Sequence, residues 1–286
     1  MRPQRRLRWT SIPLVASVAL LVTGCTQEQQ LGWLPTEPGT TNHVDGVIGL
    51  WVNSWIVLLL VGLLTWGLIL WAMIVYRRRR GQEGLPVQLR YNMPIEIFYT
   101  IVPLVLVIGF FVATVREQVS IEAPVAEPDV KIQVMAKQWA WDFNYVDENV
   151  YFAGEQARHE KGQQVDTSNV PVLYLPVNKS AQIELRTRDV IHSFWVIDFL
   201  YKKDTIPFQS NYMYVTPQKE GTYYGKCAEL CGQYHSLMLF EVRVVSEAEY
   251  AKQIEALRER GWVGQLDETY DRFSDREGLN QAAAKH

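Results

Sequence analysis

Between Gly46 and Tyr76 the chain runs for 31 residues without a charged side chain, rich in Leu, Val and Trp. A helix needs about 20 apolar residues to cross the hydrocarbon core of a bilayer. This run crosses it with turns to spare, tilted or protruding. Trp51 and Trp55 near one end, and Trp71 and Tyr76 near the other, suit the two interfacial aromatic belts. A second charge-free run, Ile97–Val115, is 19 residues long and sits between Glu96 and Arg116. Pro103 inside it is tolerated more readily in a membrane helix than in a soluble one. At these lengths a buried core helix is the weaker reading, and two spans are expected. Whole-chain averages hide this: 48% apolar and 21% charged residues describe an ordinary globular protein and exclude disorder for most of the chain.

The connection 77–94 carries Arg77, Arg78, Arg79, Arg80 and Arg90 against Glu83 alone. Positive loops stay in the cytoplasm, so the spans form a hairpin with both ends outside. The start of the chain agrees. Arg2, Arg5, Arg6 and Arg8 precede a short apolar core, Ile12–Val22, too short to span and matching a signal peptide. Leu21-Val22-Thr23-Gly24-Cys25 resembles a bacterial lipobox, which makes Cys25 the lipidated first residue of the mature chain. Losing four Arg and no acids moves the net charge from −3 to −7. An acidic chain of this kind is no general nucleic-acid binder. The organisation drawn from these signals is a leader 1–24, an outer segment 25–45, a first span 46–76 and a cytoplasmic loop 77–94. A second span 95–115, an outer domain 116–245 and a terminal helix and tail 246–286 follow. All of this places the protein in a bacterial cell membrane.

Residues 116–286 hold 19 basic and 26 acidic side chains and look β-rich. Val130–Ala136, Val172–Val177, Ala181–Thr187 and Phe240–Val245 are short apolar or alternating runs parted by Gly, Pro, Asn and Asp. That is the pattern of a small sandwich or barrel. Residues 146–170 turn polar and read as a long surface insertion. Ser246-Glu247-Ala248-Glu249 reads as a capping box opening a helix to about Arg260. The last dozen residues read as disordered.

Chemistry concentrates in Cys227-Ala228-Glu229-Leu230-Cys231-Gly232-Gln233-Tyr234-His235-Ser236-Leu237-Met238. Thiolate, thioether and imidazole together select copper or another thiophilic metal. A Cys-x3-Cys spacing puts both sulfurs on one side of a tight loop, where each can bridge two ions; His235 and Met238 can complete the ends. A second imidazole must come from elsewhere. His192, at a strand end among apolar residues, is the candidate, since His43 precedes the first span, His159 lies in the insertion and His286 ends the chain. Three Cys are too few for a disulfide-stapled fold. A single Cys227–Cys231 disulfide stays open as an alternative, as do Met238 as core filler and His192 as a buried hydrogen-bonded residue. Zinc rarely uses Met, and a mononuclear blue-copper site needs one Cys only. A membrane-anchored thiol oxidoreductase or copper chaperone would have no use for His192, His235 and Met238.

The Cys-x-Glu-x-Cys-x3-His-x2-Met loop behind two spans resembles subunit 2 of the haem-copper cytochrome c oxidases, from the first span to about Val245. The lipobox and the long insertion look like a bacterial, actinobacterial member; the quinol-oxidase branch of the fold lacks these ligands. The resemblance implies a two-helix transmembrane hairpin followed by an all-β cupredoxin-like Greek-key barrel. It implies the dinuclear copper centre CuA, which takes electrons from cytochrome c and passes them to haem in subunit 1. There oxygen is reduced to water, coupled to proton translocation. The partners implied are oxidase subunits 1 and 3, and cytochrome c or a tethered cytochrome c domain, within a supercomplex with the cytochrome bc complex in some arrangements.

By position the resemblance assigns Cys227 and Cys231 as bridging thiolates, and His192 and His235 as terminal imidazoles. Met238 becomes the weak ligand of one copper and the Glu229 carbonyl that of the other. The Glu229 carboxylate would point to a magnesium or manganese site shared with subunit 1. Gln138-Trp139-Ala140-Trp141 matches the aromatic segment whose first Trp, here Trp139, receives the electron. Glu96 matches a carboxylate near the mouth of a proton channel. Pro207-Phe208 replaces the usual Pro-Gly, and the insertion and Ala140 also depart from the pattern. These departures are expected to leave the copper site untouched.

Overall fold

The computed structural model describes residues 26–85, 88–160 and 163–272. The leader, Cys25 and the tail from residue 273, with their expected lipidation and disorder, lie outside the described residues. By contact the chain divides into two units, Met1–Leu34 with Ile48–Thr114, and Pro35–Val47 with Val115–His286.

A single helical turn, α1 (Gln27–Gln30), is capped by Thr26. The long helices are α2 (Val44–Val75) and α3 (Met93–Glu122), 32 and 30 residues. At 1.5 Å per residue they are about 48 and 45 Å long, more than the hydrocarbon core requires. Their apolar windows are exposed on all sides, as lipid-facing helices require. Ser54, Thr65 and Thr100 donate their hydroxyls to the carbonyls four residues earlier, so these three hydroxyls are satisfied within the helix. α3 continues seven residues past Val115 because Arg116–Glu122 are good helix formers; Pro124 lies just beyond.

Among the described residues the second unit contains two five-stranded sheets. The first joins β1 (Val130–Lys137), β2 (Ala140–Tyr145), β3 (Val150–Phe152), β5 (Ala181–Thr187) and β8 (Asn211–Val215) in the order β3-β2-β1-β5-β8. The second joins β4 (Val172–Pro176), β6 (His192–Val196), β7 (Tyr201–Thr205), β9 (Gly221–Cys227) and β10 (Leu239–Val245) in the order β4-β10-β9-β6-β7. β1 with β5 and β10 with β4 are parallel; the other pairs are antiparallel. Alternation explains the strands: Ala181, Ile183 and Leu185 of β5 and Phe240, Val242 and Val244 of β10 point inward, with polar neighbours outward. Between the sheets Trp141 meets Phe194 and Phe240 edge-on, each at 5.4 Å between ring centroids. The expected all-β outer domain behind two apolar helices is present.

β2 breaks the alternation, for all six of its residues are buried. Its outer face carries Asp142 and Asn144, and the segment after α4 (Glu247–Glu259) covers it. Asn144 and Leu266 exchange two hydrogen bonds of 2.9 Å. Arg188 lies beneath, bonded to Asp142 at 3.4 Å, the Asp267 carbonyl at 2.7 Å and Asp271 at 3.0 Å. The terminal region is therefore partly a structural layer.

The stretch 146–170 also differs from the expected polar surface loop. Val150–Phe152 pair with β2, and Gly154, Ala157 and Val170 are buried. Small and apolar residues spaced among the charges let it fold back onto the barrel.

Candidate metal centre

β9 ends at Cys227 and β10 begins at Leu239, so the cysteines, His235 and Met238 all lie on the connection between neighbouring antiparallel strands. The Cys227 N–H donates to the Met238 carbonyl at 3.0 Å and pinches the loop shut at its base. β6 pairs with the other edge of β9, with Phe194 opposite Cys227, and Ala228 N–H bonds the Ser193 carbonyl at 3.0 Å. That register puts the first residue of β6, His192, beside the loop 35 positions away.

The donor atoms converge. Cys227 Sγ and Cys231 Sγ are 3.8 Å apart. His192 Nδ1 faces Cys227 Sγ at 3.9 Å and His235 Nδ1 faces Cys231 Sγ at 3.5 Å. Met238 Sδ lies 3.9 Å from Cys231 Sγ, and the Glu229 carbonyl 3.2 Å from Cys227 Sγ. Ligand atoms of His192, Cys227 and Cys231 all fall within 4.8 Å of one another, and all three residues are buried. Both cysteines are free thiols.

Second partners hold these donors. His192 Nε2 lies 2.8 Å from the Asp189 carboxylate, which also accepts the Gln138 and Val190 N–H groups at 2.7 Å each. A carboxylate at Nε2 fixes the proton there and leaves Nδ1 bare for a metal. Burial works against a charged His192, but the bonds to Asp189 and Cys227 outweigh it and raise its pKa above the ordinary value. Burial likewise opposes ionisation of Cys227, yet His192 and nearby backbone groups bring its thiol down to about 7. Cys231 is pushed up to about 12 by burial and by Cys227 beside it. Ionisation of one thiol therefore opposes ionisation of the other, and a bound cation would favour both thiolates.

The profile of the family described as cytochrome C oxidase subunit II, periplasmic domain, matches residues 130–245. The probable cytochrome c oxidase subunit 2 of Streptomyces avermitilis is 40% identical, over 92% of this chain and 90% of that protein. Cytochrome c oxidase subunit 2 of Mycobacterium tuberculosis is 29% identical, over 87% and 81%. The solved periplasmic domain of subunit II of cytochrome oxidase from Bradyrhizobium japonicum is 32% identical, covers 48% of this chain and 99% of that one, and has a TM-score of 0.42. The chain belongs to the cytochrome c oxidase subunit 2 family.

Members of the family carry the copper centre CuA, and the donor set here fits it. Two sulfurs face one another, each has its own imidazole, and a thioether and a carbonyl lie beside them. Soft donors of this kind suit copper better than zinc.

Trp139, the candidate electron acceptor, lies half-buried against this loop. Its Nε1 donates to the Cys231 carbonyl at 3.3 Å, and its ring meets Tyr234 edge-on at 5.0 Å. Gln138 Nε2 bonds the same carbonyl at 2.8 Å. Gly232, at φ +126°, makes this possible: a Cβ there would stand 3.1 Å from the Trp139 ring, in a conformation L side chains rarely adopt. Trp141, two residues on, is fully buried and donates to the Met238 carbonyl at 3.4 Å. The Glu229 side chain is exposed.

Glu96 lies elsewhere, in the first turn of α3, where its carboxylate accepts the Asn92 N–H at 2.7 Å. His43 bonds the Tyr214 carbonyl and His159 is exposed; neither joins the cluster. Asp189, Gln138 and Tyr234 are site residues that sequence reasoning missed. An aspartate three residues before the candidate His192 was the available signal for the first. Phe208, where the resemblance leads one to expect Gly, takes φ +65°, the left-handed region that Gly occupies freely and that costs other residues about 1–2 kcal/mol. The substitution thus keeps the turn at a cost.

Proposed function

We propose that the chain is the electron-accepting subunit of a respiratory cytochrome c oxidase, with its metal held by His192, Cys227, Cys231, His235, Met238 and the Glu229 carbonyl. The observation that carries this is the pair of buried sulfurs 3.8 Å apart, each faced by its own imidazole nitrogen. When bound, a pair of coppers held by these residues would supply a one-electron carrier. The residues do the rest. Strand pairing holds the ligands at fixed separations, so a change of oxidation state needs little movement. Asp189 holds one proton at Nε2 of His192 and aims Nδ1 at Cys227. Burial of both cysteines keeps water from the thiolates. Trp139, bonded to the backbone of Cys231, offers a short covalent and hydrogen-bonded route from the surface to a ligand. Nothing in the loop acts on a substrate bond; oxygen reduction belongs to subunit 1.

Further assignments belong to the same reading. The two spans form a hairpin with both termini outside, and Cys25 carries a diacylglycerol once residues 1–24 are removed. Subunits 1 and 3 are neighbours, and cytochrome c or a tethered cytochrome domain is the donor. The exposed Glu229 carboxylate contributes to a magnesium or manganese site with subunit 1. Glu96 serves proton uptake, although its bond to Asn92 N–H already supplies a capping role. Copper analysis of the purified full chain tests the core of this reading. It should return two coppers per chain and a hyperfine pattern from one electron shared by two equivalent nuclei. One copper, or zinc at equal occupancy, would overturn it.

A further inference from the structure

The stretch 153–158 was expected to have no bearing on the metal site, yet two small residues plant it there. Gly154 is buried, and its N–H donates to Asp142 Oδ1 at 3.0 Å. It lies so close to Trp141 that a Cβ would stand 2.1 Å from the Trp141 carbonyl oxygen and 2.7 Å from the Pro171 ring. Three residues on, Ala157 has no exposed surface, and its N–H donates to the Leu237 carbonyl at 3.0 Å. Asn169 secures the segment from behind, its Nδ2 donating to the Gln156 carbonyl at 3.1 Å. Arg158 and Asp166 exchange backbone bonds of 3.1 and 2.8 Å across the loop.

The Leu237 carbonyl belongs to the peptide that leads into Met238. The Met238 carbonyl on the other side accepts from Cys227 N–H and Trp141 Nε1. Met238 is therefore held at both of its peptides, one by the core strands and one by the insertion. A thioether is a weak, long-range ligand, so the protein rather than the metal must set its distance.

We propose that Ala157 and the segment 153–158 are positioning elements for the Met238 thioether, tuning the potential of the metal centre and shielding its sulfurs. The proposal rests on the copper reading above, and it makes the insertion part of the site's frame. Ala157→Pro removes the N–H donor and sets its ring carbon against the Leu237 carbonyl. Asn169→Ala loosens the same segment without touching the metal loop and serves should the proline variant fail to fold. Two readouts are needed, both on the full-length chain.

In the copper-loaded chain, either variant should keep two coppers and shift the reduction potential with the sign seen for Met238→Leu, by a smaller amount. Combined with Met238→Leu, it should add no further shift, because the effect passes through that side chain. In the metal-free chain, Cys227 and Cys231 should react several-fold faster with a thiol-specific disulfide reagent. Glu220→Ala, exposed and outside this segment, should change neither. An unchanged potential and unchanged thiol reactivity in a folded Asn169→Ala chain would overturn the proposal. So would a shift that persists in full alongside Met238→Leu. Failure of the wild-type chain to take up two coppers would overturn the copper reading instead, leaving thiol reactivity to judge the segment on its own.

Discussion

Asp189 shows how much of the site depends on a residue that touches no metal. Its carboxylate collects the imidazole of His192 and two backbone N–H groups, so it ties the β6 strand end to the Gln138–Trp139 segment. Loss of such a partner typically costs about 10–100-fold in metal affinity. Asp189→Asn should therefore weaken copper retention by about that factor while the barrel stays folded; competition with a copper chelator measures it. The ligands themselves should divide by strength. Cys227→Ser or Cys231→Ser should abolish the signal of an electron shared by two coppers, whereas Met238→Leu should retain copper and alter its potential. Trp139 is the third residue of interest. Trp139→Ala should strongly slow oxidation of cytochrome c while sparing oxygen consumption driven by a small reductant, as stopped-flow and oxygen-electrode measurements will show.

The elements explain why these residues stay in place. β2 is buried on both faces because Asn144 and Arg188 bind the segment that follows α4, and Asp142 holds Arg188. Asp142 has Lys137 at 2.7 Å and the Gly154 N–H at 3.0 Å besides Arg188. Replacing Asp142 by Ala leaves a buried guanidinium with fewer partners, and breaking such a pair costs about 3–5 kcal/mol. Asp271 and the Asp267 carbonyl still hold Arg188, so the loss should lie at or below the low end of that range, read by denaturant unfolding. Ser246 at the start of α4 accepts the Glu249 N–H at 3.3 Å, and Ser246→Ala should cost only about 1 kcal/mol. At α3 the two roles of Glu96 can be parted. Glu96→Gln keeps an oxygen for Asn92 N–H, so a fall in turnover with normal assembly would come from the lost ionisable group.

At the scale of the whole molecule, the proposed meeting with an electron donor should depend on charge. The outer part has 26 acidic and 19 basic side chains, an excess of seven negative charges. Fields of this kind raise association rates with a basic partner by about 10–1,000-fold at low salt. Second-order oxidation of a free basic cytochrome c should accordingly fall steeply as ionic strength rises. A tethered donor would flatten that dependence through its high effective concentration. Lipidation at Cys25 should show in the intact mass as loss of residues 1–24 plus a diacylglycerol. Its removal should leave the chain in the membrane, since two long helices already hold it.

The membrane helices and the ligand types were legible in the sequence because each depends on local facts. An uncharged run has one stable place in a bilayer, and thiolate, thioether and imidazole have metal preferences wherever they lie. The strands of β5 and β10 were legible for a similar reason, since alternation along a few residues tells which face is buried. The convergence of His192 on Cys227 was different: composition nominated the histidine, but only the pairing of β6 with β9 brings it to the sulfurs. Asp189, Gln138 and Gly232 became site residues through the same register. The insertion read as polar surface and the residues past the terminal helix as tail, yet Gly154, Ala157, Asn144 and Arg188 bury parts of both against the barrel. Such contacts join residues up to 122 positions apart, and no local pattern encodes which backbone group a small or polar residue will meet. The sequence by itself determined the anchor and the chemistry of the ligands; the tertiary structure decided their spacing, their second partners and what shields them.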